Sequence, residues 1–163
     1  VIDLAAKETG LSEEFIRQAE QKKTSSFLYS LYMSTQNLPV SDQVFIAESD
    51  VIRKVAAEGP CVIVGRCADY VLRDRPDVLK VFLHATMDFR KKFALAAGDF
   101  APGTEDRIME LSIQKEDKRR ASYYNYYTQN RWGEAQYYDM CLNAALGIDA
   151  CAKLIEEAAQ LEG

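Results

Sequence analysis

The chain has 163 residues, of which 48% are hydrophobic and 28% are charged, as in a soluble globular protein of one domain, here residues 1–163. No apolar run approaches the ~20 residues of a membrane-spanning helix, and a formal net charge of -5 argues against broad nucleic-acid binding. Four cysteines without a CxxC pair and one histidine argue against a metal site built from this chain. We therefore expect a cytoplasmic protein with reduced thiols, without nucleic-acid or membrane partners, and open to small anionic ligands.

The amino-terminal part predicts helices followed by an irregular segment. Residues 1–8 and 12–23 have helical patterns with suitable end residues. Residues 24–41 contain aromatics without a regular period, and we interpret 24–58 as the segment on the substrate side. Because Val1 opens inside a helical pattern, we expect sequence upstream of it in the natural protein.

The middle of the chain alternates helices with runs typical of strands. Ser41 is predicted to cap a helix that has one apolar face and stops at Gly59. The β-branched run Cys61–Val64 is typical of a strand buried on both faces, so we predict it as the central strand. Further strands are predicted at 78–83 and 138–143. Strands separated by helices predict an α/β fold, here a three-layer α/β/α arrangement with a parallel sheet.

The remaining elements are helices with identifiable end signals. Thr86 is predicted to cap one helix, and residues 98–103 form a turn. Thr104 is predicted to start a long helix that reaches the charged run 115–120. Residues 147–161 have the pattern of a closing amphipathic helix.

A first candidate site directly follows the predicted central strand. Gly65, Arg66 and Asp69 lie where open α/β sheets bind ligands, outside the carboxyl end of a strand. Arg66 is the leading candidate for a phosphate contact. The alternative is an ordinary surface ion pair with Asp69 or Asp74.

A second candidate site is the charged run 115–120, which holds four cations within two helical turns. Arg119 and Arg120 suit a flap that closes over transferring phosphates, because a guanidinium grips phosphate oxygens by two parallel hydrogen bonds. The alternative is a solvated helix end with cations near its negative pole. The tyrosines of 122–127 could stack on a base, although such tyrosines more often pack a helix against the body.

These segments together resemble the cytidylate kinase-like proteins of bacteria, a branch of the P-loop nucleoside monophosphate kinases, over roughly residues 40–160. Residues 59–69 with 72–83 are similar to a strand, loop and strand of the cytidylate kinases. Residues 117–124 look like their arginine-bearing lid, and residues 138–143 look like their last strand.

The resemblance implies transfer of the terminal phosphoryl of ATP, with Mg²⁺, to a nucleoside monophosphate such as CMP or dCMP. It leaves the oligomeric state open. The site residues that it implies are substrate-binding Gly65, Arg66 and Asp69, and catalytic Lys118, Arg119 and Arg120 in a lid over residues 115–132.

The chain departs from the family pattern in two places. Cys67 follows the arginine where the better-known cytidylate kinases have aspartate, so Asp69 is expected as a stand-in. The 163 residues contain no G-x-x-x-x-G-K-[ST] phosphate loop, on which this chemistry depends. We therefore expect a strand, that loop and a helix before Val1 in the natural protein, and no kinase activity without them. The alternatives are another small-molecule kinase on the same scaffold, or a non-catalytic nucleotide-binding regulatory protein.

Overall fold

The computed structural model describes residues 39–161, and the elements predicted before residue 39 lie outside this range. The chain divides between Asp74 and Arg75 into two compact units. None of the helices described between residues 39 and 161 is long and apolar enough to cross a membrane. The organisation as a single domain stays a prediction.

The first unit contains helix α1, which spans Val40–Glu58. It begins directly after Pro39, whose carbonyl accepts hydrogen bonds from the N–H groups of Asp42 and Gln43 at 2.9 and 3.1 Å. The prediction of Ser41 as the cap is therefore wrong, because Ser41 already lies in the first turn of the helix. Pro39 takes the cap position because its φ of -50° and ψ of 144° lead the chain into the helix.

Helix α1 stops before Gly59 as predicted, and its buried face follows the helical period. Gly59 has a φ of 148°, a conformation that glycine adopts without steric cost. The proline that follows has no N–H to continue the helix. The buried face includes one acidic residue among apolar ones; its members are Val44, Glu48, Ser49, Val51, Ile52 and Ala56.

The predicted central strand is absent: residues 61–64 have no regular secondary structure. The side chains of Val62 and Val64 are 93% and 86% exposed, not buried. A β-branched run favours extended backbone, but a strand also needs a hydrogen-bonded neighbour, and no part of the described chain pairs with this segment. A short helix, α2, follows at Ala68–Val71.

The second unit contains a parallel sheet of two strands, β1 at Val81–His84 and β2 at Met140–Asn143. The α/β class and the parallel pairing are confirmed, with two strands in the described chain where three were predicted. Parallel neighbours need a long crossover, and the helices between β1 and β2 supply it. The backbone of Lys80 extends the pairing beyond β1, because its N–H donates to Asp139 Oδ2 at 2.7 Å and its carbonyl accepts from Asp139 N–H at 2.8 Å.

The crossover consists of helix α3 at Met87–Ala97 and helix α4 at Asp106–Thr128. Thr86 caps α3 as predicted, since its hydroxyl accepts from Phe89 N–H at 3.4 Å. Thr104, in contrast, does not start α4: its hydroxyl donates to the carbonyl of Ala101 at 2.7 Å and closes the preceding turn. The cap of α4 is Glu105.

After α4 the chain passes through a 3₁₀ turn at Ala135–Tyr137 to β2, then through a second at Ala144–Leu146 to helix α5 at Ile148–Leu161. Phe82 of β1 packs edge-on against Trp132, with the ring centroids 5.5 Å apart. A Cβ at Gly133 would lie 3.1 Å from the ring of Phe82. Glycine therefore permits the close approach of this loop to the sheet.

Candidate functional site

The first candidate site is built on a left-handed turn at residues 65–67, which we name the Arg66 turn. Gly65, Arg66 and Cys67 have successive φ values of 75°, 56° and 54°. Left-handed backbone costs roughly 1–2 kcal/mol for each residue with a side chain. Such strain persists only where the surroundings fix the conformation, and it is common at ligand sites.

The turn is closed by its own backbone. Ala68 N–H donates to the carbonyl of Gly65 at 3.1 Å, and α2 begins at the same residue. A Cβ placed on Gly65 would meet no atom within 4 Å, so glycine is required here by its φ and not by lack of space. The closed turn fixes the point from which the side chain of Arg66 leaves the backbone.

The side chain of Arg66 faces a buried acid on α1. Arg66 Nη1 lies 3.6 Å from Glu48 Oε1, and the side chains are 23% and 1% exposed. The alternative in the sequence analysis was a surface pair with Asp69 or Asp74, whereas this ion pair involves a fully buried carboxylate. A guanidinium has five N–H donors, so one edge can face a carboxylate while another binds a phosphate.

Sequence analysis missed Glu48, although a signal for it exists. Helix α1 places buried apolar residues at Val44, Val51 and Ile52. Glu48 falls on the same face at helical spacing, and a carboxylate is rarely buried without a charged partner. An acid within an apolar stripe therefore indicates a buried cation nearby.

Cys67 is held in its neutral form beside this pair. Its side chain is buried, and burial is the main cause that raises the pKa of Cys67 to about 12. The negative charges of Asp69 and then Glu48 raise that pKa further, while Arg66 acts in the opposite direction. The thiol therefore adds no charge beside Arg66 at neutral pH.

The structure thus brings three predicted substrate-binding residues into one short segment of the first unit. Gly65 and Arg66 form the turn, and Asp69 lies in the first turn of α2, half-buried. None of these placements identifies a ligand, and the binding role of the three residues stays a prediction.

The second candidate site is in the second unit, on α4. The helix continues without interruption through residues 115–127 to Thr128. The charged run therefore lies inside the helix, and two further turns follow Arg120. The alternative is wrong in placing the cations at the helix end, but they are solvated as it expected, because Lys118, Arg119 and Arg120 are exposed. Whether this part of the lid is more mobile than the sheet stays a prediction.

The two lid arginines contact acids one turn earlier on the same helix. Arg119 Nε donates to Glu116 Oε2 at 3.0 Å, and Arg120 Nη1 lies 3.6 Å from Asp117 Oδ1. The side chains of Arg119 and Arg120 are 43% and 52% exposed. Exposed pairs of this kind contribute only about 0.2–1 kcal/mol, so a phosphate could replace either acid. Lys118 between them is exposed.

Asp117 also joins α4 to α3. Arg90 donates to its two carboxylate oxygens at 2.6 and 2.7 Å, and these hydrogen bonds raise the pKa of Arg90. Residues 90 and 117 are too far apart in the sequence for spacing alone to predict the contact. Asp117 therefore holds one arginine from each helix, Arg90 and Arg120.

The tyrosines that follow the lid arginines are divided between packing and exposure. Tyr124 is buried, whereas Tyr126 is 52% exposed. Tyr127 makes edge contacts with Tyr123 and Tyr126, with ring centroids 4.9 and 4.8 Å apart. Packing within α4 accounts for these contacts, and base stacking stays a prediction.

Mg²⁺, which the resemblance implies, has no evident site among these residues. Between residues 39 and 161 no group of three or more histidine, cysteine or acidic residues could hold a metal ion. Mg²⁺ is commonly bound by one or two carboxylates together with phosphate oxygens of the substrate.

The profile of the cytidylate kinase-like family matches residues 1–145 of the chain. The chain belongs to the cytidylate kinase-like family. The matched part includes both the Arg66 turn and the lid arginines, and the family description indicates a nucleotide kinase-like function. No curated protein matches the chain.

A solved structure supports the fold of this cytidylate kinase-like protein. The chain is similar to the crystal structure of an uncharacterized protein from Eubacterium ventriosum, with 27% sequence identity and a TM-score of 0.66. The similarity covers 73% of each chain.

Proposed function

We propose that this protein is a nucleoside monophosphate kinase on the P-loop kinase scaffold, which transfers the terminal phosphoryl of ATP to CMP or dCMP. The observation that carries the proposal is Arg66, placed on a strained turn beside a buried carboxylate. Membership of the cytidylate kinase-like family supports the reaction class.

In this proposal the Arg66 turn binds the acceptor nucleotide. Arg66 grips the acceptor phosphate through two parallel N–H donors. Gly65 lets the backbone approach the nucleotide closely because it has no side chain. Asp69 accepts a hydrogen bond from an amine or hydroxyl group of the acceptor.

The lid arginines stabilise the negative charge of the phosphoryl group that is transferred. Phosphoryl transfer is catalysed mainly by positioning and by electrostatic stabilisation of the equatorial oxygens. Arg119 and Arg120 exchange the acids of α4 for phosphate oxygens, and Lys118 adds a third positive charge. The printed chain has no Gly-rich phosphate loop, so we assign the β and γ phosphates of ATP to no residue of it.

The test is ADP release by the full gene product with a panel of acceptors, CMP, dCMP, UMP, AMP and GMP. We expect turnover with CMP or dCMP. In Arg66→Ala we expect a loss of kcat/KM by orders of magnitude: KM rises because the ground-state contact to the phosphate is lost, and kcat falls because that contact is stronger in the transition state. Arg73→Ala is the matched control, since Arg73 is an exposed arginine of the same unit that packs on Tyr70. Equal turnover by Arg66→Ala and wild type would contradict the proposal.

A second candidate function is nucleotide binding without catalysis. One observation favours it: both lid arginines contact acids of their own helix. The same panel separates the candidates. Saturable CMP binding, with no ADP formed from ATP in the presence of any acceptor, would support the regulatory protein over the kinase. ADP formation with an acceptor that is not a nucleotide would indicate another small-molecule kinase.

A further inference from the structure

We propose that Glu48 is a positioning residue, which orients the guanidinium of Arg66 so that its outer edge meets the acceptor phosphate. This inference rests on the proposed function, because it specifies how the acceptor site of that function is built. Glu48 itself, at 1% exposure, is too deeply buried to touch a nucleotide bound outside the turn.

The carboxylate of Glu48 is buried in apolar surroundings. Glu48 lies in the middle of α1, on the face that carries Val44, Val51 and Ile52. Moving a carboxylate into such surroundings is unfavourable unless a cation compensates its charge. An apolar residue at this position would serve the packing equally well, so packing alone does not explain an acid here.

The turn places Arg66 close to this buried acid. Nη1 of Arg66 lies 3.6 Å from Oε1 of Glu48, while the backbone of Arg66 is fixed by the left-handed turn. The pair is an ion pair without a hydrogen bond between these two atoms. The buried charge of Glu48 therefore attracts one nitrogen of the guanidinium inward and restricts the rotamers of the side chain before any ligand binds. Preorganisation of this kind improves affinity by reducing the ordering cost of binding.

The electrostatic balance around Arg66 includes the thiol of Cys67. Cys67 is neutral at physiological pH, since the ordinary pKa of the thiol, 9.0, already lies above it and burial raises the pKa further, to about 12. An aspartate at that position would add a charge directly beside the pair. With a neutral thiol there, Glu48 provides a buried negative charge on the inner side of Arg66, and an anionic phosphate can approach from the exposed side.

The test compares Glu48→Gln with wild type in the full protein, using CMP, inorganic phosphate and cytidine as probes in calorimetric titrations. We expect Glu48→Gln to weaken binding of CMP and phosphate by about 10-fold or more, as when an oriented contact to a charged group is lost. Cytidine has no phosphate, so its affinity should not change. A role confined to stability would lower the melting temperature without separating CMP from cytidine.

Two further variants make the interpretation specific. Asp50→Asn is the matched control, because Asp50 is an exposed acid of α1 that pairs with Arg53, and it should bind all probes as wild type does. In an Arg66→Ala background Glu48→Gln should cause no further loss, since Glu48 acts through Arg66.

The outcomes separate the two proposals. If folded Glu48→Gln binds CMP and phosphate as tightly as wild type, the positioning role is wrong and the proposed function stands. If wild type binds phosphate in a Glu48-dependent way but prefers no nucleotide, the proposed function is wrong and the positioning role stands. If wild type binds none of the probes, both are wrong.

Should Glu48→Gln fail to fold, as judged by circular dichroism, Glu48→Asp takes its place in the titrations. It keeps the charge but withdraws the carboxylate by one methylene, so CMP and phosphate should bind more weakly than to wild type while cytidine binding is unchanged. A folded Glu48→Asp that binds every probe as wild type does would overturn the positioning role.

Discussion

The electrostatic surroundings of Arg66 depend on neighbouring groups whose pKa values are altered by burial. Cys67 shows this most directly, since its thiol is buried against Asp69 and Glu48 and its pKa rises to about 12 from 9.0. A thiol reacts as its thiolate. Cys61 and Cys141 are exposed, so the four cysteines should differ strongly in reactivity.

We therefore predict that iodoacetamide at about pH 8 modifies Cys61 and Cys141 and spares Cys67, because little thiolate forms at a site with a raised pKa. Peptide mass spectrometry of the native protein would measure the modification of each cysteine. Rapid modification of Cys67 at this pH, in protein that remains folded, would contradict the burial and charge that we assign to the site.

The raised pKa of Cys67 also predicts the direction in which its contribution to stability changes with pH. Because the folded pKa of Cys67 is raised above its unfolded value, the contribution of the neutral thiol is fully present below about pH 9 and is lost as pH rises towards 12. The stability advantage of wild type over Cys67→Ala should therefore narrow in alkaline solution. Urea unfolding of both proteins at several pH values would measure it, and a constant difference would contradict it.

At the scale of elements, α4 is the part of the molecule on which the proposed catalysis most depends. It carries both lid arginines and is joined to α3 by two contacts. These are the bidentate pair of Arg90 with Asp117 and the ion pair of Lys91 with Asp106. The helix therefore has a fixed attachment, while the side chains of Arg119 and Arg120 are themselves exposed.

We predict that replacing Arg119 and Arg120 together by alanine abolishes phosphoryl transfer in the full protein and leaves the fold intact, because each exposed pair contributes only about 0.2–1 kcal/mol. Steady-state ADP release and circular dichroism would measure the two effects. The matched control is Arg107→Ala with Lys153→Ala, two exposed cations of the same unit outside residues 115–132. Equal activity of the two double variants would show that α4 has no catalytic lid.

Mobility offers an independent test of the lid. Residues 115–127 should exchange amide hydrogens faster than β1 and β2 without ligand, since a flap must open for nucleotide exchange. Addition of ATP and CMP should slow that exchange. If the segment is as protected as the sheet in both states, α4 is a static helix and its cations are structural.

At the scale of the whole molecule, the features that the sequence predicted correctly are those that neighbouring residues determine. The stop of α1 before Gly59 and the cap at Thr86 depend on a few adjacent residues, and both are confirmed. Ser41 and Thr104 also have cap chemistry, but Pro39 and Glu105 occupy the actual cap positions. The choice between neighbouring candidates depends on how the preceding chain enters the helix.

The features that the sequence did not predict depend on distant partners. Residues 61–64 have strand composition, yet they are not paired within the described chain, and Val62 is 93% exposed. The contact between Glu48 and Arg66 joins two residues that are 18 positions apart, and their spacing in the sequence does not predict the contact. The candidate site could thus be located from Gly65 and Arg66. The acid within the apolar face of α1 could also be noticed, but its pairing with Arg66 could not be predicted.

The most direct test of the account is a calorimetric titration of the full protein with CMP. We predict saturable binding to wild type and to Arg73→Ala, and a loss of binding by about 10-fold or more in Arg66→Ala, because a charge-assisted contact to the phosphate is removed. If Arg66→Ala binds CMP as tightly as wild type, the Arg66 turn is not the acceptor site.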